Sequence, residues 1–312
     1  MTDTRYLDLP DGRLAYDETG DGPLIVCVPA MADIRSEYRF LTPRLVAAGY
    51  RVVTIDLRGM GESSVPWPEY GSQPTGRDLL ALLRHLDAGP ALIYGCSVGA
   101  ASAVHVAADA PELVRGIVLA GPFVRDAPTT LATRLGGALL LIPGLTRPLA
   151  LAYWPKWEPN PPADLKAHLA RLNANLREPG RTRALRGYFR SSHRAAEARL
   201  ADVHTPVLVI MGTADVDFPD PAAEARWIQQ QVGGELMLIE GAGHHPHVEH
   251  PDDVAARVLT FDGAARRPAR ASRRPGSRPA TGSSPAGSGG SPRYGCPRTR
   301  RSSTRRGPRR SR

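Results

Sequence analysis

Tyr94-Gly95-Cys96-Ser97-Val98-Gly99-Ala100-Ala101 is the stretch that decides the fold. It continues the apolar run Ala91-Leu92-Ile93-Tyr94 and opens a segment, 98–108, patterned as a helix. Gly-x-Ser-x-Gly between a strand and a helix is a sharp turn that lifts one hydroxyl above a sheet. Glycines on both sides of Ser97 let strand and helix approach closely, while the serine takes strained backbone angles. The Val98 N–H then sits at a helix N-terminus, where an unpaired donor and the helix dipole can stabilise an oxyanion. Alone the motif is weak, and a small-residue helix start that merely packs tightly is the competing reading.

Working outward, the same alternation recurs. Apolar runs stand at 24–28 (LIVCV), 51–55 (RVVTI), 117–120 (IVLA), 206–211 (PVLVIM) and 236–239 (LMLI). Helix-like segments lie at 37–48, 76–86, 221–231 and 252–261. Runs that are apolar throughout suit strands buried on both faces, and strand–helix alternation predicts a doubly wound, mostly parallel α/β sheet. Residues 6–9 and 13–19, separated by Pro10-Asp11-Gly12, read as an antiparallel hairpin at one edge. The alternation stops between 123 and 203, where helical periods continue without a convincing strand. An all-helical insertion is expected there, because a structureless loop of that length is improbable in a compact domain. The expected division is a core of 1–122 and 204–262, a helical insertion of 123–203 and a tail of 263–312.

A serine at neutral pH needs a base, and the base needs an orienting group. Gly212-Thr213-Ala214-Asp215 follows one predicted strand, and Gly241-Ala242-Gly243-His244 follows another. Ser97, Asp215 and His244 thus all fall at the carboxyl edge of the sheet, where open α/β folds bind ligands. Asp217 could face the histidine instead of Asp215. His244-His245-x-His247-x-x-His250 could by itself be a metal site, but no Cys or carboxylate set recurs at zinc spacing. His245 is expected to point away from His244 on an extended loop. No metal and no cofactor are expected.

These residues resemble the α/β-hydrolase-fold serine hydrolases. Four blocks carry the resemblance: Asp56-Leu57-Arg58-Gly59-Met60-Gly61-Glu62-Ser63, the Ser97 turn, Gly212 to Asp215, and Gly243-His244 followed by Glu249-His250-Pro251. The resemblance implies Ser97 as nucleophile, His244 as general base and then acid, Asp215 as orienting carboxylate, and 123–203 as a cap. Where many members carry His-Gly, this chain has Pro29-Ala30-Met31-Ala32-Asp33, similar to a bacterial subgroup with a Pro-Gly-Met-Gly-type loop. Val98 and Met31 are then the implied oxyanion donors, and Ala30 in place of Gly makes its backbone angles decisive. Arg58 is expected to pair locally, and Cys27 and Cys96 to be buried and inert. A serine nucleophile argues against the dehalogenase and epoxide-hydrolase members, which use an aspartate.

The implied activity is cleavage of an ester, lactone or related acyl bond of a small, largely apolar substrate through an acyl-enzyme. The alternatives are an acyltransferase or cofactor-free haloperoxidase using the same triad, or a small-molecule binding protein on this scaffold. Leu139, Leu140, Leu141, Ile142, Tyr153, Trp154 and Trp157 could line an apolar pocket or pack the cap's own core. The cap's arginines fit solvated helix faces, and a single inward one would indicate an acidic substrate.

Read as a whole, the charge argues for a different function. The 312 residues carry 40 Lys+Arg and 31 Asp+Glu, a net +9. Fifteen Arg and no acidic residue lie in 263–312, which leaves the remainder at −6. That tail has one Tyr and none of Leu, Ile, Val, Phe, Met or Trp, so it is expected to be disordered. A shift of reading frame in GC-rich DNA would produce such an ending. The tail could bind nucleic acid nonspecifically, but no recognition fold accompanies it. Three cysteines exclude a disulfide framework, and no apolar run approaches the roughly 20 residues that span a bilayer. The opening residues carry charges and no apolar h-region, so a cytoplasmic protein is expected. The oligomeric state is left open.

Overall fold

The computed structural model describes residues 3–126 and 131–265. Eight strands form one sheet: β1 (Arg5–Leu9), β2 (Gly12–Thr19), β3 (Leu24–Val28), β4 (Arg51–Ile55), β5 (Ala91–Cys96), β6 (Val114–Ala120), β7 (Val207–Gly212) and β8 (Glu235–Ile239). Their order is β1-β2-β4-β3-β5-β6-β7-β8. The β1–β2 hairpin is antiparallel, with Leu7 opposite Leu14, and β2 pairs antiparallel with β4. All other pairings are parallel. The predicted mostly parallel sheet is therefore present.

Strand periodicity divides the core between the two faces. Val26, Val28, Ile93, Ile117 and Val209 face α2 (Ser72–Leu86), α3 (Val98–Asp109) and α9 (Pro221–Val232). Ile25, Cys27, Leu92, Val118 and Leu208 face α1 (Leu41–Ala47) and α11 (Pro251–Ala265). Every residue of β3, β5 and β7 is buried, which is why those runs are apolar throughout. Between β6 and β7 the regular elements among the described residues are all helical: α4 (Leu131–Leu140), α5 (Thr146–Tyr153), a 3-10 turn (Trp154–Trp157), α6 (Leu165–Arg177), α7 (Arg181–Arg190), α8 (Arg194–Glu197) and a second 3-10 turn (Leu200–Asp202).

Two boundaries differ from expectation. The expected helix 37–48 is a 3-10 turn, Arg35–Arg39, followed by α1 after Phe40. Within that turn Glu37 and Tyr38 are buried against the loop after β3, a tertiary demand that helix propensity does not report. The last helix continues through Gly263 to Ala265, so the change in composition at Gly263 does not end it. The rest of the expected tail lies outside the described residues. No described helix is long and apolar enough to cross a membrane.

The β5–α3 turn depends on its glycines. A Cβ on Gly95 would stand 2.3 Å from the Gly99 carbonyl oxygen, and one on Gly99 would stand 2.3 Å from that of Val28. Both obstacles are backbone, which side-chain repacking cannot relieve. Gly99→Ala is expected to destabilise the fold by about 2 kcal/mol or more, read as a lowered urea midpoint at unchanged slope.

Candidate active site

Ser97 sits on the turn with φ 55° and ψ −117°, a conformation a non-glycine residue keeps only when its surroundings enforce it. Its N–H is fixed to the Ala120 carbonyl of β6 at 2.9 Å, and its own carbonyl accepts from Ala100 at 3.0 Å. Val98 opens α3, so its N–H has no intrahelical acceptor. Asp215 follows β7 and is anchored by its N–H to the Gly212 carbonyl. His244 follows β8, and its N–H donates to the Trp157 carbonyl of the insertion at 2.8 Å. Room for the His244 ring is left by Gly121, where a Cβ would come within 3.0 Å of Nδ1.

Asp215 and His244 meet directly, with Oδ2 2.7 Å from Nδ1, and both side chains are fully buried. Asp217 is more distant, at 3.9 Å from Nδ1, and its two oxygens are already engaged. They accept from Tyr153 Oη and Trp157 Nε1, each at 2.8 Å, which ties the insertion to the loop after β7. Burial pulls the His244 imidazole toward the neutral form, but the Asp215 charge and hydrogen bond outweigh it, so its pKa lies above the ordinary value. Burial, together with the nearby Asp215 charge, pushes the Asp217 carboxyl up. Ser97 Oγ forms no hydrogen bond to His244 among the described contacts. Such contacts are commonly long until substrate closes them.

A cavity of about 480 Å³ joins Ser97 to Met31, Ala32, Phe123 and the insertion's Leu139, Leu140, Tyr153 and Trp157. His244 does not line it, but its ring is flanked by Phe123 and Trp157, which do, with centroids 5.7 and 5.4 Å away. Among the described residues no Lys, Arg or His lines this cavity, and its one carboxylate, Asp217, is hydrogen-bonded. Of the apolar insertion residues singled out in the sequence, Trp154 turns instead toward His168 and His245, and Ile142 is exposed. A larger cleft of about 910 Å³ lies beside Arg35, Arg39 and Arg171, and neither Ser97 nor His244 lines it. Its arginines are paired with Asp17, Asp56, Glu62 and Asp164, so size alone does not make it the site.

Met31 and Ser97 line the same cavity, and the unusual backbone of this loop is not at Ala30. Ala32 takes the left-handed conformation, at φ 62°. Its neighbours are polar and buried. The Asp33 carboxylate lies 3.0 Å from His168 Nε2 of α6, and Glu37 lies 3.0 Å from His247 Nε2. His245 Nδ1 lies 3.4 Å from Glu158. Burial works against charge on His245, but Glu158 and Glu37 outweigh it and push its pKa up to about 9. Sequence reasoning missed this three-pair cluster, because partners such as Asp33 and His168 are 135 positions apart. It also misplaced His245, whose ring centroid is 5.2 Å from that of His244. The chain does not stay extended there but enters a short helix, α10 (Pro246–Glu249), which folds His245 inward.

Several triads, including Asp33, Glu37 and His245, bring ligand atoms within 4.8 Å of one another and could hold a metal ion. The same histidines stand against carboxylates, but only His168–Asp33 and His244–Asp215 are hydrogen-bonded; the His245–Glu158 and His247–Glu37 contacts are close without hydrogen-bond geometry. Arg58 pairs with buried Asp78 at 2.6 Å, a structural role. Cys27 and Cys96 are buried, and burial pushes both thiols up, so neither is an activated nucleophile.

Residues 25–257 match the model of a family described as the alpha/beta hydrolase family. A 2-(acetamidomethylene)succinate hydrolase of Mesorhizobium japonicum is 25% identical over 266 residues, covering 83% of this chain and 94% of that protein. A hydrolase from Pseudomonas aeruginosa superposes with a TM-score of 0.68 at 27% identity, covering 83% of this chain and 98% of the other. A bromoperoxidase from Bacillus anthracis superposes at 0.72 with 19% identity, covering 84% and 100%, a likeness of fold alone.

Proposed function

The chain belongs to the alpha/beta hydrolase family, and from that premise we propose that it is a serine hydrolase acting on an uncharged, largely apolar acyl substrate. The observation that carries this reading is the buried 2.7 Å contact between Asp215 Oδ2 and His244 Nδ1. With Nδ1 occupied, Nε2 is the nitrogen left to exchange protons with Ser97. Ser97 Oγ attacks the acyl carbon as Nε2 takes its proton, and the oxyanion is met by the Val98 and Met31 N–H groups. The bond to the leaving group breaks as the imidazolium returns the proton to it. Water, deprotonated at the same nitrogen, then attacks the acyl-enzyme and frees Ser97. The helices between β6 and β7 act as a cap, held over the cavity by the Asp217 contacts.

A serine fits acyl transfer better than epoxide opening. Attack of a hydroxyl on an epoxide would leave an ether, which water activated by a histidine does not cleave. The cavity also speaks to substrate charge. An anionic acyl group would enter an apolar space without a cationic partner, which is strongly unfavourable. The dicarboxylate-type substrate in the Mesorhizobium relative's name is therefore not carried over.

The test is a panel of p-nitrophenyl esters with neutral acyl chains against the corresponding hemisuccinate. Neutral esters are expected to show kcat/KM about tenfold higher or more. Preference for the hemisuccinate would overturn the substrate class, and tight binding without turnover would favour a binding protein. The same assay fixes the base. His244 must be neutral to act, and its pKa lies above the ordinary 6.5, so kcat/KM should fall as pH drops through a midpoint above 6.5. A midpoint below that value would contradict the assignment.

A further inference from the structure

We propose that Glu37 is a positioning residue for the oxyanion hole, fixing the Ala30–Met31 backbone from behind and itself fixed by His247. The catalytic consequence rests on the acyl-hydrolase reading; the loop contact does not. Pro29 has no N–H, so Ala30 carries the first free donor after β3. That N–H donates to Glu37 Oε2 at 2.8 Å. Three residues on, the Asp33 N–H donates to the Ala30 carbonyl at 3.3 Å, closing a turn around Met31 and Ala32. In a trans peptide the C=O and the next N–H point in opposite directions. Holding the Ala30 carbonyl inside the turn therefore directs the Met31 N–H out of it, and Met31 lines the cavity with Ser97.

This turn is not self-sustaining. Ala32 takes a left-handed conformation that a residue with a Cβ keeps only when fastened from outside. Asp33 fastens one end through His168 and the Ile34 N–H, and Glu37 fastens the other. Glu37 is itself 1% exposed, and a carboxylate removed from water needs partners. Its second oxygen is 3.0 Å from His247 Nε2, though the ring N–H is not well aligned with it. The His247 ring is stacked on Tyr38 at 4.9 Å and set edge-on to Tyr94 at 5.3 Å, while Tyr38 Oη donates to the Val28 carbonyl at 2.6 Å. His247 lies three residues after His244. One buried chain of contacts, His247 to Glu37 to the Ala30 N–H, thus links the loop bearing the candidate base to the loop bearing the candidate oxyanion donor.

The experiment compares the full chain with Glu37→Gln, Glu37→Ala and His247→Phe. Glu37→Gln keeps shape and an acceptor, and His247→Phe keeps the stack on Tyr38 but loses the contact to Glu37. Hydrogen exchange followed by mass spectrometry reads the 29–34 segment against strand 24–28. Exchange in 29–34 should rise about tenfold or more in Glu37→Ala, less in the other two, with 24–28 unchanged. On the best ester of the panel, kcat should fall on the order of 100-fold in Glu37→Ala and about tenfold in Glu37→Gln, with KM within about threefold, because the donor acts in the transition state. Wild-type exchange in 29–34 in all three variants would overturn the proposal, as would raised KM at unchanged kcat. If Glu37→Ala does not fold, Glu37→Gln and His247→Phe decide by the same criteria. If the wild-type chain has no Ser97-dependent turnover, the hydrolase reading fails, and exchange still decides whether Glu37 fastens the loop.

Discussion

Ser97→Ala is expected to lower kcat for a p-nitrophenyl ester by about 100,000-fold or more while leaving the fold intact. The size follows from the chemistry. Without the hydroxyl no acyl-enzyme forms, and the two-step route collapses to direct attack by water, helped only by the oxyanion donors and by substrate binding. Triads act as units, so the remaining His244 and Asp215 retain little of their effect. The fold should survive because the turn is fixed through backbone atoms, the Ser97 N–H to Ala120 and the Ser97 carbonyl from Ala100, which alanine keeps. Ellipticity and urea midpoint check the fold, and the ester assay checks the loss. A loss below about tenfold would mean that turnover does not pass through Ser97.

The second large effect separates two neighbouring carboxylates. Asp215→Asn is expected to reduce kcat by about 10,000-fold, because an amide facing Nδ1 stabilises the wrong tautomer and leaves the imidazolium without its counter-charge. Asp217→Asn should reduce kcat by less than about tenfold, since Asp217 stands 3.9 Å from Nδ1 and spends its oxygens on Tyr153 and Trp157. Its effect should fall mainly on KM, through a loosened cap. The isosteric asparagine matters at position 215. Alanine would open space into which Asp217 could move and substitute as orienting group. Equal kcat losses in the two asparagine variants, or a larger loss at 217, would exchange the assignments.

Much of this was legible in the sequence, for a physical reason. Strands buried on both faces leave unbroken apolar runs such as LIVCV and PVLVIM, and parallel pairing forces an intervening helix with its own period. Gly95 and Gly99 mark the close approach of backbone to backbone that the turn requires. What remained hidden depends on long-range partners. No local pattern reveals that Glu37 turns inward to Ala30, or that His168 crosses to Asp33. His245 looked like a neighbour pointing away because alternation assumes an extended chain, and the helix beginning at Pro246 breaks that assumption. Apolar insertion residues could not be sorted by type either. Trp157 lines the cavity and Trp154 does not, three positions apart, because only the packing of α6 and the His244 loop decides which ring faces inward.

The central claim is that Ser97 is the activated nucleophile, and covalent labelling tests it without knowledge of the substrate. The folded wild-type chain is treated with a fluorophosphonate, digested and mapped by mass spectrometry. The account predicts one stoichiometric adduct on the peptide containing Ser97, absent in Ser97→Ala. A folded wild-type chain that remains unlabelled, or that carries its adduct on another residue, would contradict it.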